Sequence, residues 1–372
     1  MRILVTGAGG FIGRNLALRL TEGGHELLAA TRATPADALA DMVGAADAVI
    51  HLAGANRPET EAEFDQINDS FTKALCDLLI ARGAAVPIVA SSTIQVDRDT
   101  PYGRSKRAAE AHLTAMGEVL NAPVSICRLV NVFGKWARPN YNSAVATFCH
   151  NIARDLPIRI DAPDAEIRLA YVDDVIDGWL AWLASPPPGV QITAAAPEYR
   201  ITVGELAETL HRYRDVRRTN TLGETGTGLG RALYATYVSY LPTADFAYPL
   251  TRHGDARGVF AEMLRTEHSG QFSFFTAGPG VTRGGHYHHT KTEKFLVLKG
   301  RALFKFLNMD TGETHTLETH ADESMVVETV PGWSHDITNI SEDELICMLW
   351  ANECFDPDRP DTIAHPLTTV AP

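Results

Sequence analysis

Three histidines and one glutamate in the last third of the chain have the spacing of a metal site. His286 and His288 are separated by one residue, and Glu293 follows shortly after them. Alternate side chains of a β-strand point to the same face, so both imidazoles can meet a carboxylate that returns on the next strand. His335 lies on a later β-like run and adds a fourth ligand. This set binds Zn, Fe, Mn, Ni or Cu, so we expect one divalent metal ion, with zinc (Zn) as the first choice.

A second group of reactive side chains lies in the first third of the chain. Tyr102 and Lys106 are four residues apart, which places them on one face of a helix. A lysine ammonium lowers the pKa of a neighbouring phenol, so Tyr102 can exchange a proton with a substrate oxygen. The hydroxyl of Thr93 can hold that oxygen. We therefore predict a catalytic set of Thr93, Tyr102 and Lys106, with Ser92 left open as a substitute for Thr93.

The N-terminus carries a glycine pattern typical of dinucleotide binding. Gly7, Gly10 and Gly13 follow a short apolar run and precede an amphipathic stretch. Such glycines permit a tight turn and let backbone N–H groups approach a pyrophosphate. Arg32 follows the second apolar run, where its guanidinium suits a 2′-phosphate, so NADPH is the expected cofactor. The other residues predicted to bind it are Phe11, Ile12, Leu52, Ala53, Gly54, Tyr102 and Lys106.

Two kinds of architecture are needed to position these groups. Up to about residue 185, short apolar runs alternate with longer helical patterns, which is typical of a doubly wound parallel α/β sheet. After about residue 250, closely spaced β-like runs are separated by glycine-containing turns, which predicts an all-β barrel. We expect a Rossmann-like NADP-binding domain at residues 1–245 and a metal-binding barrel domain at residues 246–372.

Composition restricts the partners of the chain. Its 372 residues are 45% hydrophobic and 21% charged, which is ordinary for a globular protein and excludes a disordered one. A net charge of −13 disfavours nucleic acid and anionic membranes as partners. The sequence shows neither a signal peptide nor an apolar run of about 18 residues. Its five scattered cysteines are typical of reduced thiols, so we expect a cytoplasmic protein.

The first half resembles the extended short-chain dehydrogenases/reductases, a family that acts largely on nucleotide sugars. The matching residues are Gly7-x-x-Gly10-x-x-Gly13, Thr93, Tyr102, Lys106 and the later run Arg128-x-x-Asn131-Val132-Phe133-Gly134. The resemblance implies that Asn131 lies beside the substrate. Asn142 belongs to a polar run at 140–143 that either contacts the sugar or uridine or is an ordinary surface loop.

The second half resembles the cupin β-barrels. The first cupin motif matches at Gly280, His286, His288, Glu293 and Gly300, and most of the second matches between Pro331 and Asn339. The resemblance implies a four-ligand metal site, although cupin relatives can lose the metal and keep the barrel. Arg257 lies in a run that resembles the entry segment of deoxysugar keto-epimerase cupins, where a like arginine faces the nucleotide diphosphate. A turn with a solvated Arg257 is an equal alternative.

The chain as a whole resembles bacterial capsular polysaccharide synthesis enzymes in which an extended reductase is fused to a C-terminal cupin. The runs that carry this resemblance are His51–Gly54, Phe133–Trp136 with Asn140–Ser143, Tyr237–Pro242, His288–Lys291 with Glu293–Val297, and Pro357–Thr362. It implies two consecutive steps on a UDP-4-keto-6-deoxy amino sugar. The cupin would epimerise carbon 3, and the reductase would reduce the carbon 4 ketone with NADPH to UDP-2-acetamido-2,6-dideoxy-L-talose, on the way to UDP-N-acetyl-L-fucosamine.

Alternative functions stay open at this point. One is a single-activity NADPH-dependent sugar-nucleotide reductase with a structural metal-binding cupin. Another is a non-catalytic NADPH-sensing protein, against which the intact set of Thr93, Tyr102 and Lys106 argues. A metal-dependent dioxygenase is a weaker third, because iron cupins use the same ligands. Both families commonly form dimers, so we expect a homodimer by analogy.

Overall fold

The computed structural model describes residues 1–251, 253–255, 258–260, 263–266, 270–353 and 358–367. Its contacts divide the chain into two compact units. The first unit comprises Met1–Arg138 and Ile167–Arg200, and the second comprises Pro139–Glu166 and Ile201–Pro372. The division into functional domains at 1–245 and 246–372 stays a proposal.

The helices and strands are numbered in chain order. The helices are α1 (Phe11–Glu22), α2 (Ala36–Ala45), α3 (Ala62–Phe64), α4 (Phe71–Arg82), α5 (Pro101–Leu120), α6 (Ala144–Ile152), α7 (Val172–Ala184), α8 (Val203–Thr219) and α9 (Gly228–Val238). The strands are β1 (Arg2–Thr6), β2 (Glu26–Ala30), β3 (Ala48–His51), β4 (Ile88–Thr93), β5 (Val124–Leu129), β6 (Asn131–Phe133), β7 (Glu166–Tyr171), β8 (Val190–Ala194), β9 (Tyr199–Thr202), β10 (Thr221–Leu222), β11 (Ala247–Pro249), β12 (His253–Asp255), β13 (Gly258–Phe260), β14 (Arg265–Thr266), β15 (Gln271–Ala277), β16 (Thr282–Tyr287), β17 (Glu293–Lys299), β18 (Arg301–Asn308), β19 (Thr314–His320), β20 (Met325–Glu328), β21 (Trp333–Asn339), β22 (Leu345–Ala351) and β23 (Ile363–Ala364).

A six-stranded parallel sheet forms the centre of the first unit, with the strand order β2-β1-β3-β4-β5-β8. Its central strands are apolar runs that are buried along most of their length, as expected where helices cover both faces of a parallel sheet. The carboxyl ends of β1, β3 and β4 therefore meet at one edge. Thr6, His51 and Thr93 end these strands, so the sheet brings the predicted cofactor and catalytic residues to one place.

Helix α5 presents the predicted tyrosine and lysine from a well-defined start. The hydroxyl of Thr100 accepts a hydrogen bond from the Gly103 N–H at 3.0 Å, and Pro101 occupies the first helical turn. Both features favour helix initiation at this point. Tyr102 and Lys106 consequently lie in the first two turns of the helix, close to the carboxyl edge of the sheet.

The second unit contains two five-stranded sheets, with the orders β11-β20-β17-β22-β15 and β19-β18-β21-β16-β23. Their strands pair antiparallel. Alternate residues of β18, namely Ala302, Phe304 and Phe306, are buried, and the Phe304 ring packs against Phe295 of β17 in the other sheet. The predicted fold class is thus confirmed: a Rossmann-like parallel α/β sheet is followed by an antiparallel β domain consistent with a cupin barrel.

A buried charge network joins α8 to this barrel. Arg217 donates to one oxygen of Glu328 at 2.5 Å, and Lys294 donates to the other oxygen. Lys294 also donates to the Tyr248 hydroxyl at 3.0 Å. Burial would raise the pKa of Glu328, but the two cations lower it. The network ties residues before position 246 to the barrel.

None of the helices in the described part of the chain has the length and apolar character needed to cross a membrane.

Candidate active site and metal centre

The glycine turn between β1 and α1 has the backbone geometry that the sequence predicts. Gly7 has a φ of +70°, and a Cβ added there would lie 2.7 Å from the Ala53 nitrogen. A Cβ on Gly13 would lie 2.4 Å from the Gly7 carbonyl oxygen. Glycine is therefore required at both positions. Helix α1 begins at Phe11 after Gly10, and no described side chain caps its first N–H groups, which leaves them available to a phosphate.

A buried hydrogen-bond network fixes the loop after β3, which contains Leu52, Ala53 and Gly54. The Thr6 hydroxyl accepts from the N–H groups of Leu52 and Ala53, each at 3.2 Å. His51 lies 2.7 Å from the same hydroxyl through Nδ1, and burial followed by the charge of Lys106 lowers its pKa to about 3. A neutral imidazole thus holds the loop against which a cofactor ring would lie.

Asn68 fixes the same loop from the helical side. Its side-chain oxygen accepts from the Ala55 N–H at 2.8 Å, and its nitrogen donates to the Ala55 carbonyl and the Ser105 hydroxyl, each at 3.0 Å. Sequence reasoning missed Asn68, Thr6 and this use of His51. Only the position of His51 at the end of an apolar run could have drawn attention to it.

The structure brings Thr93, Tyr102 and Lys106 together. Lys106 Nζ donates to the Ser91 carbonyl oxygen at 2.8 Å, and a Cβ on Gly54 would lie 3.9 Å from that nitrogen. Burial lowers the pKa of Lys106 to about 8, against a raising effect of Glu110. The ammonium is thus buried at the floor of the predicted cofactor site.

The pKa of the Tyr102 phenol differs from our expectation. Burial raises it, and a hydrogen bond from Thr93 opposes that rise. We expected Lys106 to lower this pKa, but its ammonium is engaged by the Ser91 carbonyl, and among the described residues Thr93 is the neighbour that lowers it. Tyr102 is therefore a protonated donor at neutral pH in this structure.

The contacts of Ser92 and Thr93 separate their roles. Ser92 Oγ donates to Glu110 at 2.5 Å, and Glu110 in turn pairs with Arg128 through Nη2 at 2.8 Å. The Ser92 proton is therefore engaged in a buried ion-pair network. Because the Thr93 hydroxyl hydrogen-bonds Tyr102, the geometry favours Thr93 over Ser92 as the hydroxyl that meets a substrate.

The four predicted metal ligands converge inside the barrel. His286 on β16 pairs with His335 on β21, while His288 follows β16 and Glu293 begins β17. One ligand atom from each of these four residues lies within 4.8 Å of the others. His288 Nε2 lies 3.1 Å from Glu293 Oε2, and His335 Nε2 lies 3.6 Å from the same oxygen. The side chains of all but the half-buried His286 are buried.

The electrostatics of this cluster suit a bound cation. Burial would raise the pKa of Glu293, but the imidazoles of His288 and His335 hold it well below its usual value. Burial and the neighbouring imidazoles lower the pKa of His286 to about 4. Both ring nitrogens of His335 are buried without a hydrogen-bond partner in the described residues. Unpartnered buried nitrogens beside an ionised carboxylate fit a divalent metal ion.

The remaining predicted residues lie outside these two clusters. Arg32 is exposed two residues beyond β2. Asn131 is exposed on β6, and its amide donates to the Arg168 carbonyl at 3.0 Å. Asn142 is exposed before α6 in the second unit, and Arg257 lies outside the described residues. The roles of these four residues stay predictions.

Comparison with known proteins places the chain in a family. Residues 3–193 match the NAD dependent epimerase/dehydratase family, and residues 253–363 match the polysaccharide biosynthesis C-terminal domain. The chain belongs to the NAD dependent epimerase/dehydratase family. Membership in this family indicates a nicotinamide cofactor. The polysaccharide domain begins close to the predicted start of the barrel.

Two relatives of known identity match nearly the whole chain, and a third matches part of it. A protein from Pseudomonas aeruginosa, UDP-2-acetamido-2,6-beta-L-arabino-hexul-4-ose reductase, is 53% identical over 98% of both chains. The crystal structure of the capsular polysaccharide assembling protein CapF from Staphylococcus aureus is 37% identical, covers 99% of this chain and 100% of its own, and has a TM-score of 0.68. The spore coat polysaccharide biosynthesis protein SpsL of Bacillus subtilis is 29% identical over 30% of this chain and 81% of its own. The predicted resemblance to a capsular polysaccharide enzyme with a reductase fused to a cupin is confirmed.

Proposed function

We propose that the chain is an NADPH-dependent reductase of a UDP-4-keto-6-deoxy amino sugar whose barrel epimerises carbon 3 of the same sugar before reduction. The observation that carries the reductase assignment is the hydrogen bond between Thr93 and Tyr102, with buried Lys106 bonded to the Ser91 carbonyl of the strand that Thr93 ends. The name of the P. aeruginosa relative supports the substrate class. The product would be UDP-2-acetamido-2,6-dideoxy-L-talose, in capsule or O-antigen synthesis.

The residues of the first unit have separate tasks in the reduction. When bound, NADPH supplies the hydride for the ketone carbon. Tyr102 donates the proton to the ketone oxygen, and the Thr93 hydroxyl orients that oxygen. Buried Lys106 contributes positive charge at the cofactor site and holds the ribose. The 2′-phosphate would meet Arg32, whose exposure leaves its guanidinium open to an anion.

The barrel cluster has the residues for the second activity. His286, His288, Glu293 and His335 would hold a divalent metal ion, zinc first among the candidates, which supplies Lewis-acid chemistry when bound. Carbon 3 lies beside the ketone, so its proton is acidic through an enolate. A base would remove that proton and a proton would return to the opposite face of carbon 3, and stabilisation of the negative charge on the ketone oxygen would favour the removal.

A single-activity reductase with a structural metal is the second candidate. Four protein ligands around one point resemble a closed structural site, since catalytic zinc sites keep a position open. In that case the barrel would bind metal without exchanging the proton at carbon 3. A homodimer in the cytoplasm accompanies either proposal.

The test uses the full chain with a UDP-4-keto-6-deoxy-N-acetylhexosamine in deuterated water. With NADPH, we expect cofactor oxidation and a talose-configured product by NMR. Tyr102→Phe should lower NADPH oxidation by about 10²–10⁴-fold, the usual contribution of a general acid, and retain deuterium uptake at carbon 3. Tyr199→Phe, which removes a hydroxyl bonded to Asp174, is the matched control and should keep both activities.

Each activity fails separately in this experiment. If the metal-loaded unsubstituted chain incorporates no deuterium at carbon 3 of the sugar, the result favours the single-activity reductase. Loss of both activities in a folded Tyr102→Phe chain would contradict the division of labour. Unchanged NADPH oxidation in that variant would remove Tyr102 from the mechanism.

A further inference from the structure

The described C-terminal residues return to the strand that carries two of the barrel ligands. Strand β23 pairs antiparallel with β16, with Ala364 opposite His286 and Ile363 opposite Tyr287. The His365 N–H donates to the Gly285 carbonyl oxygen at 2.7 Å. We call residues 361–365 the C-terminal clasp.

Asp361 bonds the clasp to the loop between two ligands. Its carboxylate accepts from three consecutive backbone N–H groups, those of His289 at 2.9 Å, Thr290 at 2.7 Å and Lys291 at 2.8 Å. The Thr290 hydroxyl adds a fourth hydrogen bond at 3.0 Å. These residues connect His288 to Glu293, so the carboxylate fixes the path of the chain between the two ligands.

The backbone carbonyl of Asp361 contacts a ligand directly. It accepts a hydrogen bond from Nδ1 of His288, so the proton of a neutral imidazole lies on Nδ1. Nε2 faces the cluster, where it lies 3.1 Å from Glu293 Oε2, and this is the nitrogen that would offer its lone pair to a bound metal ion. A hydrogen bond on one ring nitrogen sets both the tautomer and the angle of the other.

A third contact reaches the strand of the fourth ligand. Ser334, which precedes His335 on β21, donates through Oγ to the His365 carbonyl oxygen at 2.8 Å. The clasp is thus bonded to His288 itself, to the backbone beside His286 and to the side chain of the residue beside His335. The clasp residues themselves are distant in sequence from all four ligands.

We propose that the C-terminal clasp, through Asp361, orients His288 and its neighbouring ligands, and thereby sets the affinity of the barrel for a divalent metal ion. This inference rests on the proposed metal site but not on epimerase chemistry. Asp361 acts as a positioning residue, because its carboxylate holds the loop and its carbonyl aims the imidazole. Partners of this kind change metal affinity by about 10–100-fold when they are lost.

The experiment titrates the full-length chain with Zn²⁺ in competition with a chromophoric chelator, and with Co²⁺ to record its visible absorption spectrum. Asp361→Ala should weaken Zn²⁺ binding by about 10–100-fold and alter the Co²⁺ spectrum, because the loop between His288 and Glu293 loses the carboxylate that holds it and the residue 361 carbonyl is no longer anchored against His288. The matched control is Asp343→Ala, which removes an exposed carboxylate from the turn after β21. It should match the unsubstituted chain in both readouts.

Two further variants keep the inference open to refutation if Asp361→Ala does not fold. Asp361→Asn retains one acceptor oxygen but places an amide N–H₂ opposite the remaining backbone N–H donor. Ser334→Ala removes the hydrogen bond to the His365 carbonyl. Both variants should weaken Zn²⁺ binding. Unchanged affinity and spectrum in a folded Asp361 variant would overturn the clasp as a positioning element. If the unsubstituted chain binds no metal, both the proposed metal site and the role of the clasp are refuted. Metal binding without deuterium exchange refutes only the epimerase proposal.

Discussion

Lys106 offers a quantitative test of how the active site is built. Its side chain is buried, and burial lowers its pKa from 10.5 to about 8. This difference corresponds to about 3 kcal/mol of destabilisation by the ammonium in the folded chain. The cost is fully present below pH 8 and is relieved as pH rises toward 10.5, because the unfolded chain binds the proton more tightly. Lys106→Met removes the charge and keeps a similar side-chain length.

The assay is urea unfolding of the unsubstituted chain and Lys106→Met between pH 7 and pH 10.5. We expect the free energy of unfolding of the variant, relative to the unsubstituted chain, to fall by about 3 kcal/mol over this range. The lost hydrogen bond to the Ser91 carbonyl shifts all points by a similar amount and leaves the pH dependence intact. Lys73→Met is the control, since Lys73 is exposed and should give a much flatter difference. A constant difference between the two chains across the range would refute the reasoning.

Two other substitutions follow from the contacts described. Thr93→Val should lower the rate of NADPH oxidation by about 10²-fold or more, as steady-state kinetics would show. Ser92→Ala should keep the reaction but lose about 1–3 kcal/mol of stability in urea unfolding, because buried Glu110 loses a hydrogen-bond donor. Equal losses of rate in the two variants would contradict the assignment of Thr93. Lys135→Met should lower the free energy of unfolding by about 3–5 kcal/mol, because buried Asp173 loses the ammonium that contacts its two oxygens at 2.8 and 3.0 Å. A thermal-unfolding midpoint equal to that of the unsubstituted chain would contradict this prediction.

Local spacing predicted much of the two sites. Strand alternation placed His286 and His288 on one face, and helix periodicity placed Tyr102 and Lys106 together. The glycine turn followed from residues that are adjacent in sequence. In each case the geometry depends on backbone period over a few positions, which sequence carries directly.

Other parts of the site depend on tertiary contacts that no local period encodes. Asp361 reaches the metal loop only because β23 adds to β16, and Asn68 reaches the cofactor loop only through the helix that carries it. The adjacent hydroxyls of Ser92 and Thr93 were indistinguishable until the position of Glu110 was known. The direction of the Tyr102 pKa shift was mispredicted because the Lys106 ammonium donates to the Ser91 carbonyl of β4, a contact that the spacing of Tyr102 and Lys106 does not reveal.

The bond between Arg217 and Glu328 has a practical consequence for dissecting this protein. A recombinant fragment that starts at residue 246 keeps Glu328 and Lys294 but loses the guanidinium from α8. The fragment would lose one of the two cations that face Glu328 and would uncover the Tyr248 ring over which the Arg217 guanidinium lies, which favours aggregation during purification. Cloning the barrel from residue 201, the start of the long segment in the second compact unit, retains both cations.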